Sequence, residues 1–486
     1  MQTLLAGVLA VFGFAPFGMF PLSVLALLVL FRVWLRSGSA AQAARAGFTF
    51  GMGLFSFGVG WVYVALHDYG YMHPLLAIAA TLLFAALVST PLALAGYLMM
   101  RVRTSANVRL LLLMPALLVS AEWLRGLMFT GFPWLASGYS QVPDSPLAGY
   151  APLLGVYGVS LAVAVSAAVL LFVSQVRWST SGKIALGSLC ALWLSGWALQ
   201  HVAWTQPYGD PLKVSLLQGN IPQEEKFSQE MLVGSLETYR RLAQGSDARL
   251  IVMPETAFPM LRHNVPPYYQ EILREHMRQN GGDILIGVFE KEGGRYFNSV
   301  YSLGSAESQH YRKDHLVPFG EFIPMRGALG WFINEVLQIP MGDLASGGDA
   351  QVPLAVAGQR VAVNICYEDA FGEEIIRQLP QATLLVNVTN DAWYGESNAA
   401  VQHNQMSQMR ALETGRMMLR ATNTGVTSII GTDGRVLGQL PQHEEGVLTA
   451  EVRGYEGSTP YVRWGNVAVL TLLALMLGAA GKFSRR

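Results

Sequence analysis

Three residues of this 486-residue chain are suited to acyl chemistry: Glu255, Lys313 and Cys366. A thiol with a pKa of about 8.5 is mostly protonated at neutral pH and needs a base before it attacks a carbonyl. Glu255 can take that proton if partial burial raises its basicity. Lys313 can offset the charge of a tetrahedral intermediate. A backbone N–H just past Cys366, helped by the start of a helix expected from Glu373, completes an oxyanion site. Each residue alone has an ordinary explanation: a loop carboxylate, a surface charge beside Asp314, a small core residue after Val-Asn-Ile. Together they make one coherent set that needs no histidine. His276, His310, His315 and His403 show no H-E-x-x-H or other ligand spacing, so neither a metal nor a cofactor is expected.

The elements around the three residues read as alternating strands and helices. Strands are expected at Lys213–Gln218, Arg249–Met253, Ile284–Glu290, Phe297–Leu303, Gln309–His315, Val361–Ile365 and Thr383–Val388. Further strands are expected at Met418–Ile430 and Val436–Leu440, around the turn Thr432-Asp433-Gly434-Arg435. Helices are expected at Gln229–Gln244, Pro267–Gln279, Glu373–Gln378 and Ala399–Arg416. This alternation predicts an α/β domain over residues 210–456, with its reactive groups just beyond strand ends. Roughly 245 residues suffice for a core of its own.

The rest of the chain differs in kind. Apolar residues make up 52% and charged residues 14%, against about a quarter charged in soluble domains. Lys plus Arg equals Asp plus Glu, 33 each, so charge gives no argument for nucleic acid. The two cysteines, Cys190 and Cys366, lie in different regions, which argues against a disulfide framework. Apolar runs near Phe20–Arg36, Ala46–Leu66, Pro74–Met100, Arg109–Leu127, Leu147–Val173, Lys183–Ala203 and Trp464–Lys482 are long enough for membrane helices. A further run, Met1–Phe14, joins them through Ala15-Pro16-Phe17-Gly18. About eight spans follow: seven in residues 1–205 and one in 462–486.

Basic residues alternate between the loops. Arg32, Arg36 and Arg45, then Arg101, Arg103 and Arg109, then Arg177 and Lys183, and finally Lys482, Arg485 and Arg486 mark the cytoplasmic side. The arithmetic places residues 210–456 outside, in the periplasm of a bacterium. Glu122 and Arg125 are spaced to pair on one helix. The aromatic loop Thr130-Gly131-Phe132-Pro133-Trp134 faces outward, as an interface anchor or the edge of a lipid entrance.

Met253-Pro254-Glu255-Thr256-Ala257 resembles the acid motif of the nitrilase superfamily. Tyr311-Arg312-Lys313-Asp314-His315-Leu316-Val317-Pro318-Phe319-Gly320-Glu321 resembles its lysine motif, and Ile365-Cys366-Tyr367-Glu368 its cysteine motif. With the flanking spans, the chain resembles the membrane-embedded branch, the apolipoprotein N-acyltransferases of bacterial inner membranes. Gln218-Gly219-Asn220-Ile221-Pro222-Gln223, Gly131-Phe132-Pro133-Trp134 and Asn387-Val388-Thr389-Asn390-Asp391-Ala392-Trp393 extend the match to almost the full length.

The resemblance implies an α-β-β-α sandwich set on a membrane bundle. It implies a phospholipid donor, usually phosphatidylethanolamine, and as acceptor the α-amine of a diacylglyceryl-modified apolipoprotein cysteine. It implies Glu255 as base, Lys313 as stabilising cation and Cys366 as nucleophile in a thioester, ping-pong route. Glu321 is similar to the family's supporting acid, Tyr367 and Glu368 to residues shaping the acyl site, and Trp134 to a lipid-side aromatic. Phe227 stands where some members carry Trp, so an aromatic is kept and an N–H donor is lost.

The alternative is a membrane-anchored nitrilase-type amidase, which uses the same three residues with water as acceptor. The number of spans disfavours it, because a soluble amide substrate needs at most one anchor. A transporter would require ionisable residues in several spans, and few are present beyond Glu122 and Arg125. The loop charges also predict that reporters fused at Gln244 or Glu292 behave as periplasmic. Cytoplasmic reporter activity at either position would reverse the orientation.

Overall fold

The computed structural model describes residues 1–177, 179–222, 229–322 and 343–482. The chain divides into two compact units. One comprises Met1–Tyr63, His73–Ala203 and Thr459–Arg486; the other comprises Val64–Met72 and Trp204–Ser458.

The first unit is helical. Pro74–Arg101, Ala106–Arg125, Pro146–Val176 and Thr180–Leu199 are long and apolar enough to cross a membrane. Ala40–Gly58 followed by Trp61–Tyr69, bent by 54°, makes a fifth if the pair is one span. Gln2–Val11 and Val467–Lys482 are apolar but shorter, and Pro21–Arg36 has 16 residues. A hydrocarbon core about 30 Å thick needs about 20 helical residues, so length and composition support four or five spans. The remaining expected segments are helices too short to pass that test alone. Small residues bring the helices together: a Cβ on Gly47 would lie 2.2 Å from the Leu92 carbonyl oxygen, a close approach typical of membrane helix packing.

The second unit holds two sheets. The strands of the first are β1 (Thr205–Gln218), β2 (Leu250–Val252), β3 (Phe258–Leu261), β4 (Asp283–Glu292), β5 (Arg295–Gly304), β6 (His310–Arg312) and β13 (Gly446–Gly457). Their order is β13-β1-β2-β4-β5-β6, with β3 also paired to β4. The second sheet is built from β7 (Leu354–Val356), β8 (Gln359–Ile365), β9 (Leu384–Thr389), β10 (Met418–Thr422), β11 (Ser428–Ile430) and β12 (Val436–Gln439). It runs β12-β11-β10-β9-β8-β7. The inner strands β1, β2 and β4, and likewise β8, β9 and β10, pair in parallel. Strands covered on both faces read as unbroken apolar runs, and Leu250-Ile251-Val252 is fully buried. Helices Gln229–Gln244 and Pro267–Gln279 pack on the first sheet, Ala399–Thr414 packs on the second, and β1 meets β10 between the sheets. The layering is α-β-β-α.

Three expectations need correcting. Met418–Ile430 is a hairpin, β10 and β11, and not one strand. The Asn423 side chain takes a bond from the Ile221 N–H and gives bonds to the Ile221 carbonyl and to Asn390, which diverts the chain at that point. The helix expected over Glu373–Gln378 is a four-residue turn, Gly372–Ile375, followed by a 3-10 turn. It is too short to carry a useful dipole. The closing strand β13 lies outside the expected set, because Glu451, Arg453 and Glu456 break its apolar pattern. Its pairing with β1 nevertheless runs from Thr205↔Gly457 to Gln218↔Gly446.

Gly287 on β4 sits directly beneath the turn after β2. A Cβ there would lie 2.3 Å from the Pro254 oxygen, 2.6 Å from the Thr256 nitrogen and 2.9 Å from the Glu255 Cα. Gly287→Ala is therefore expected to displace that turn and cost about 1–3 kcal/mol, read as a lower unfolding midpoint of the detergent-solubilised protein.

Candidate functional site

Glu255 follows β2, Lys313 follows β6 and Cys366 follows β8. The strand order of the sheets brings these three ends together in the second unit. The Lys313 side chain is 1% exposed. Its Nζ lies 2.9 Å from Glu321 and 3.7 Å from Glu255 Oε1. Burial works against its charge, but Glu321 and Glu255 outweigh burial and raise its pKa above the ordinary lysine value. The two carboxylates therefore hold Lys313 as a cation.

Both carboxylates are held by donors. The Asn298 amide on β5 donates to Glu255 Oε1 at 2.7 Å and to Glu321 Oε1 at 3.3 Å. The Asn390 N–H donates to Glu255 Oε2 at 2.9 Å, and the Val317 N–H donates to Glu321 Oε2 at 2.8 Å. Asn298 also accepts the Lys313 N–H through its backbone carbonyl, at 2.8 Å. It thus touches all three residues, although nothing in the sequence pattern singles it out.

Cys366 is 8% exposed and has φ of 55°, left-handed for a residue with a side chain. Burial and the Glu255 carboxylate push its thiol well above the usual value, while Lys313 pulls the other way. The thiol is therefore protonated at rest. A protonated thiol becomes a nucleophile only with a base that removes the proton as the bond forms.

Glu368 anchors the turn of Cys366. Its carboxylate accepts the Ile365 N–H at 2.6 Å, the Asp314 N–H at 2.6 Å, the His315 N–H at 3.1 Å and the Tyr311 hydroxyl at 3.0 Å. One buried side chain thereby ties the strand of Cys366 to the loop of Lys313. Tyr367 packs edge-on against Phe371 and His315. The sequence puts Glu368 beside Cys366 but gives no sign that it binds the lysine loop, since that bond joins residues 54 apart.

Two further expected site residues stand elsewhere. Trp134 is buried in the helical unit, with its ring 5.0 Å from Trp61 and stacked on Phe132. Arg125 donates to the Phe132 and Trp134 carbonyls, and Glu122 accepts from the Ser137 N–H and hydroxyl. These two helix residues thus shape the aromatic loop. Phe227 lies outside the described residues. Among the described residues, no cluster of three or more His, Cys, Asp or Glu side chains is arranged to hold a metal ion.

Burial pushes the Glu368 carboxyl up to about 7, against its backbone donors and Lys313. A raised folded pKa means that the folded state takes up a proton, so this stabilisation is complete below about 4.5 and lost as pH rises through about 7. Glu368→Gln should remove that slope from the pH dependence of unfolding. It should also destabilise at pH 8 by about 2–3 kcal/mol, because an amide NH2 faces donors. Denaturant unfolding at about pH 5, 6, 7 and 8 measures both.

Residues 6–169 match the family model described as apolipoprotein N-acyltransferase N-terminal domain, and residues 213–461 match carbon-nitrogen hydrolase. A protein of Nitrosomonas europaea named apolipoprotein N-acyltransferase is 51% identical over 99% of this chain and 97% of its own length. Proteins of the same name are each 43% identical: one from Methylococcus capsulatus covers 100% of the chain and 96% of itself, and one from Ralstonia nicotianae covers 99% and 93%.

Proposed function

The chain belongs to the apolipoprotein N-acyltransferases, acyltransferases of the carbon-nitrogen hydrolase superfamily, and from that premise we propose the reaction its site performs. Cys366 is the nucleophile, Glu255 the base and Lys313 the stabilising cation. The donor is a phospholipid, phosphatidylethanolamine by preference, and the acceptor is the free α-amine of an S-diacylglyceryl cysteine at the start of an apolipoprotein. The observation that carries this reading is the buried Lys313 ammonium held between Glu255 and Glu321, with Cys366 in the field of both Glu255 and Lys313.

In the first half-reaction Glu255 takes the thiol proton as sulfur attacks the ester carbonyl. Lys313 offsets the charge of the tetrahedral intermediate. The lysophospholipid alkoxide leaves with the proton from Glu255, and a thioester remains on Cys366. In the second, the neutral amine attacks the thioester, Glu255 takes the amine proton, and the thiolate leaves and is reprotonated by Glu255. Ester and amine become alcohol and amide, with no net change in the protein. The protonated resting thiol favours this base-assisted course over a preformed thiolate.

Glu321 and Glu368 support the site: Glu321 orients Lys313, and Glu368 fixes the Cys366 turn. Tyr367 shapes the acyl pocket. Trp134 and Phe227 serve the lipid side. Residues 1–205 and 462–486 form the membrane bundle, of about eight spans when the shorter helices are counted. Residues 210–456 form the catalytic domain on the periplasmic side of the inner membrane. An acyl chain moving between two lipids at such a site avoids exposure to water.

Enzyme incubated with phospholipid alone should gain a hydroxylamine-labile acyl adduct on Cys366 and release lysophospholipid, read by mass spectrometry. A lipopeptide with a free N-terminus should then discharge the adduct as an amide. Amide formation by Cys366→Ala, or kinetics that require both substrates bound together, would remove the thioester route.

A further inference from the structure

Behind Cys366 lies a second charged cluster that the proposed reaction does not use. Asp369, Asp391, His403 and Arg420 are each at most 2% exposed. They come from the turn after β8, the turn after β9, the helix Ala399–Thr414 and β10. His403 Nδ1 lies 2.9 Å from Asp391 Oδ1, and its Nε2 lies 2.7 Å from Asp369 Oδ1. Arg420 donates to Asp369 Oδ2 at 3.2 Å and to Asp391 Oδ2 at 2.9 Å. The Ser407 hydroxyl also donates to Asp369. Two cations and two carboxylates thus close a ring of alternating sign.

The ring reaches the nucleophile through its backbone. His403 Nε2 stands 3.2 Å from the Cys366 carbonyl oxygen. The Asn387 amide donates to the same oxygen at 3.1 Å, and Asn387 itself is held by Arg420, which donates to its Oδ1 at 2.6 Å. Cys366 needs such restraint, because a left-handed backbone at a residue with a Cβ is disfavoured. Charged groups buried without water are costly and persist where the surrounding geometry fixes them.

We propose that His403 and Asn387, set by Asp369, Asp391 and Arg420, are positioning residues that clamp the Cys366 carbonyl and so aim its thiol at the acyl carbon. This rests on Cys366 being the nucleophile. It accounts for the Asn387-to-Trp393 motif, in which Asn387 grips the carbonyl and Asp391 grips the histidine. Burial and Arg420 act to discharge His403, but Asp369 and Asp391 outweigh them and raise it to about 9. Both ring nitrogens therefore donate at neutral pH. Asp391 is held below the usual carboxylate range, since Arg420 and His403 outweigh its burial.

The two nitrogens of His403 can be separated by substitution. A glutamine amide replaces the Nε2 donor that faces Asp369 and the Cys366 carbonyl. An asparagine amide replaces the Nδ1 donor that faces Asp391. Asn387→Asp keeps the acceptor for Arg420 and removes the donor to Cys366. The full-length protein in detergent, in a Cys190→Ala background, is assayed for single-turnover acylation by phosphatidylethanolamine and for the rate of Cys366 alkylation by iodoacetamide. The expected result is that His403→Asn and Asn387→Asp slow acylation by about a hundredfold with KM for the phospholipid unchanged, and alter the alkylation rate. His403→Gln should retain most of both.

Equal losses in His403→Gln and His403→Asn, a change confined to KM, or Asn387→Asp at the wild-type rate would overturn the clamp. If the His403 variants do not fold, Asn387→Asp decides alone. A Cys366→Ala control separates the two readings. Acyl transfer by that variant would sink the nucleophile assignment, whereas the alkylation rates would still report whether the clamp sets the thiol.

Discussion

Burying a lysine ammonium costs several kcal/mol unless partners replace its water. Lys313, at 1% exposure, has two carboxylates in that place, and the layout of the site follows from satisfying them as well. Glu321 is steadied by the Val317 N–H, Glu255 by the Asn390 N–H, and both by Asn298. Three charges on two segments, the turn after β2 and the loop after β6, are thereby locked into one arrangement before any substrate arrives. Such preorganisation is what makes a buried cation effective against a developing negative charge.

The cysteine of the site is subject to a different constraint. Cys366 holds a backbone conformation that its own side chain disfavours, so its neighbours must determine it. Glu368 binds the N–H groups on either side of the strand-to-loop gap, while Asn387 and His403 take the Cys366 carbonyl. The thiol is thus fixed by its backbone, with its proton retained until a base acts. A thiol left acidic and exposed would be open to oxidation and side reactions.

The two units divide the physical work. In the helical unit, small residues permit close packing of the helices; Arg125 and Glu122 direct hydrogen bonds to the loop from Phe132 to Ser137. In the α/β unit, apolar parallel strands supply a rigid frame whose ends deliver the polar groups. Glu255, Lys313 and Cys366 gather there because side chains beyond a strand end are free of the ladder and can converge from both sheets.

The apolar bundle, the α/β alternation and the Glu255, Lys313 and Cys366 set were all legible in the chain before folding. Hydrophobic runs and strand periodicity are local, and a rare combination of residue types is visible wherever it falls. How many apolar helices are long enough to span alone was not legible, because helix bends and turns set usable length. Nor were the hairpin at Asn423, the strand β13, or the parts played by Asn298, Asn387, His403 and Arg420. Those polar residues look ordinary in their own segments. Their meaning comes from partners 12 to 51 residues away, and only the folded arrangement of strands, turns and helix around each sheet brings each donor to the acceptor that its burial demands.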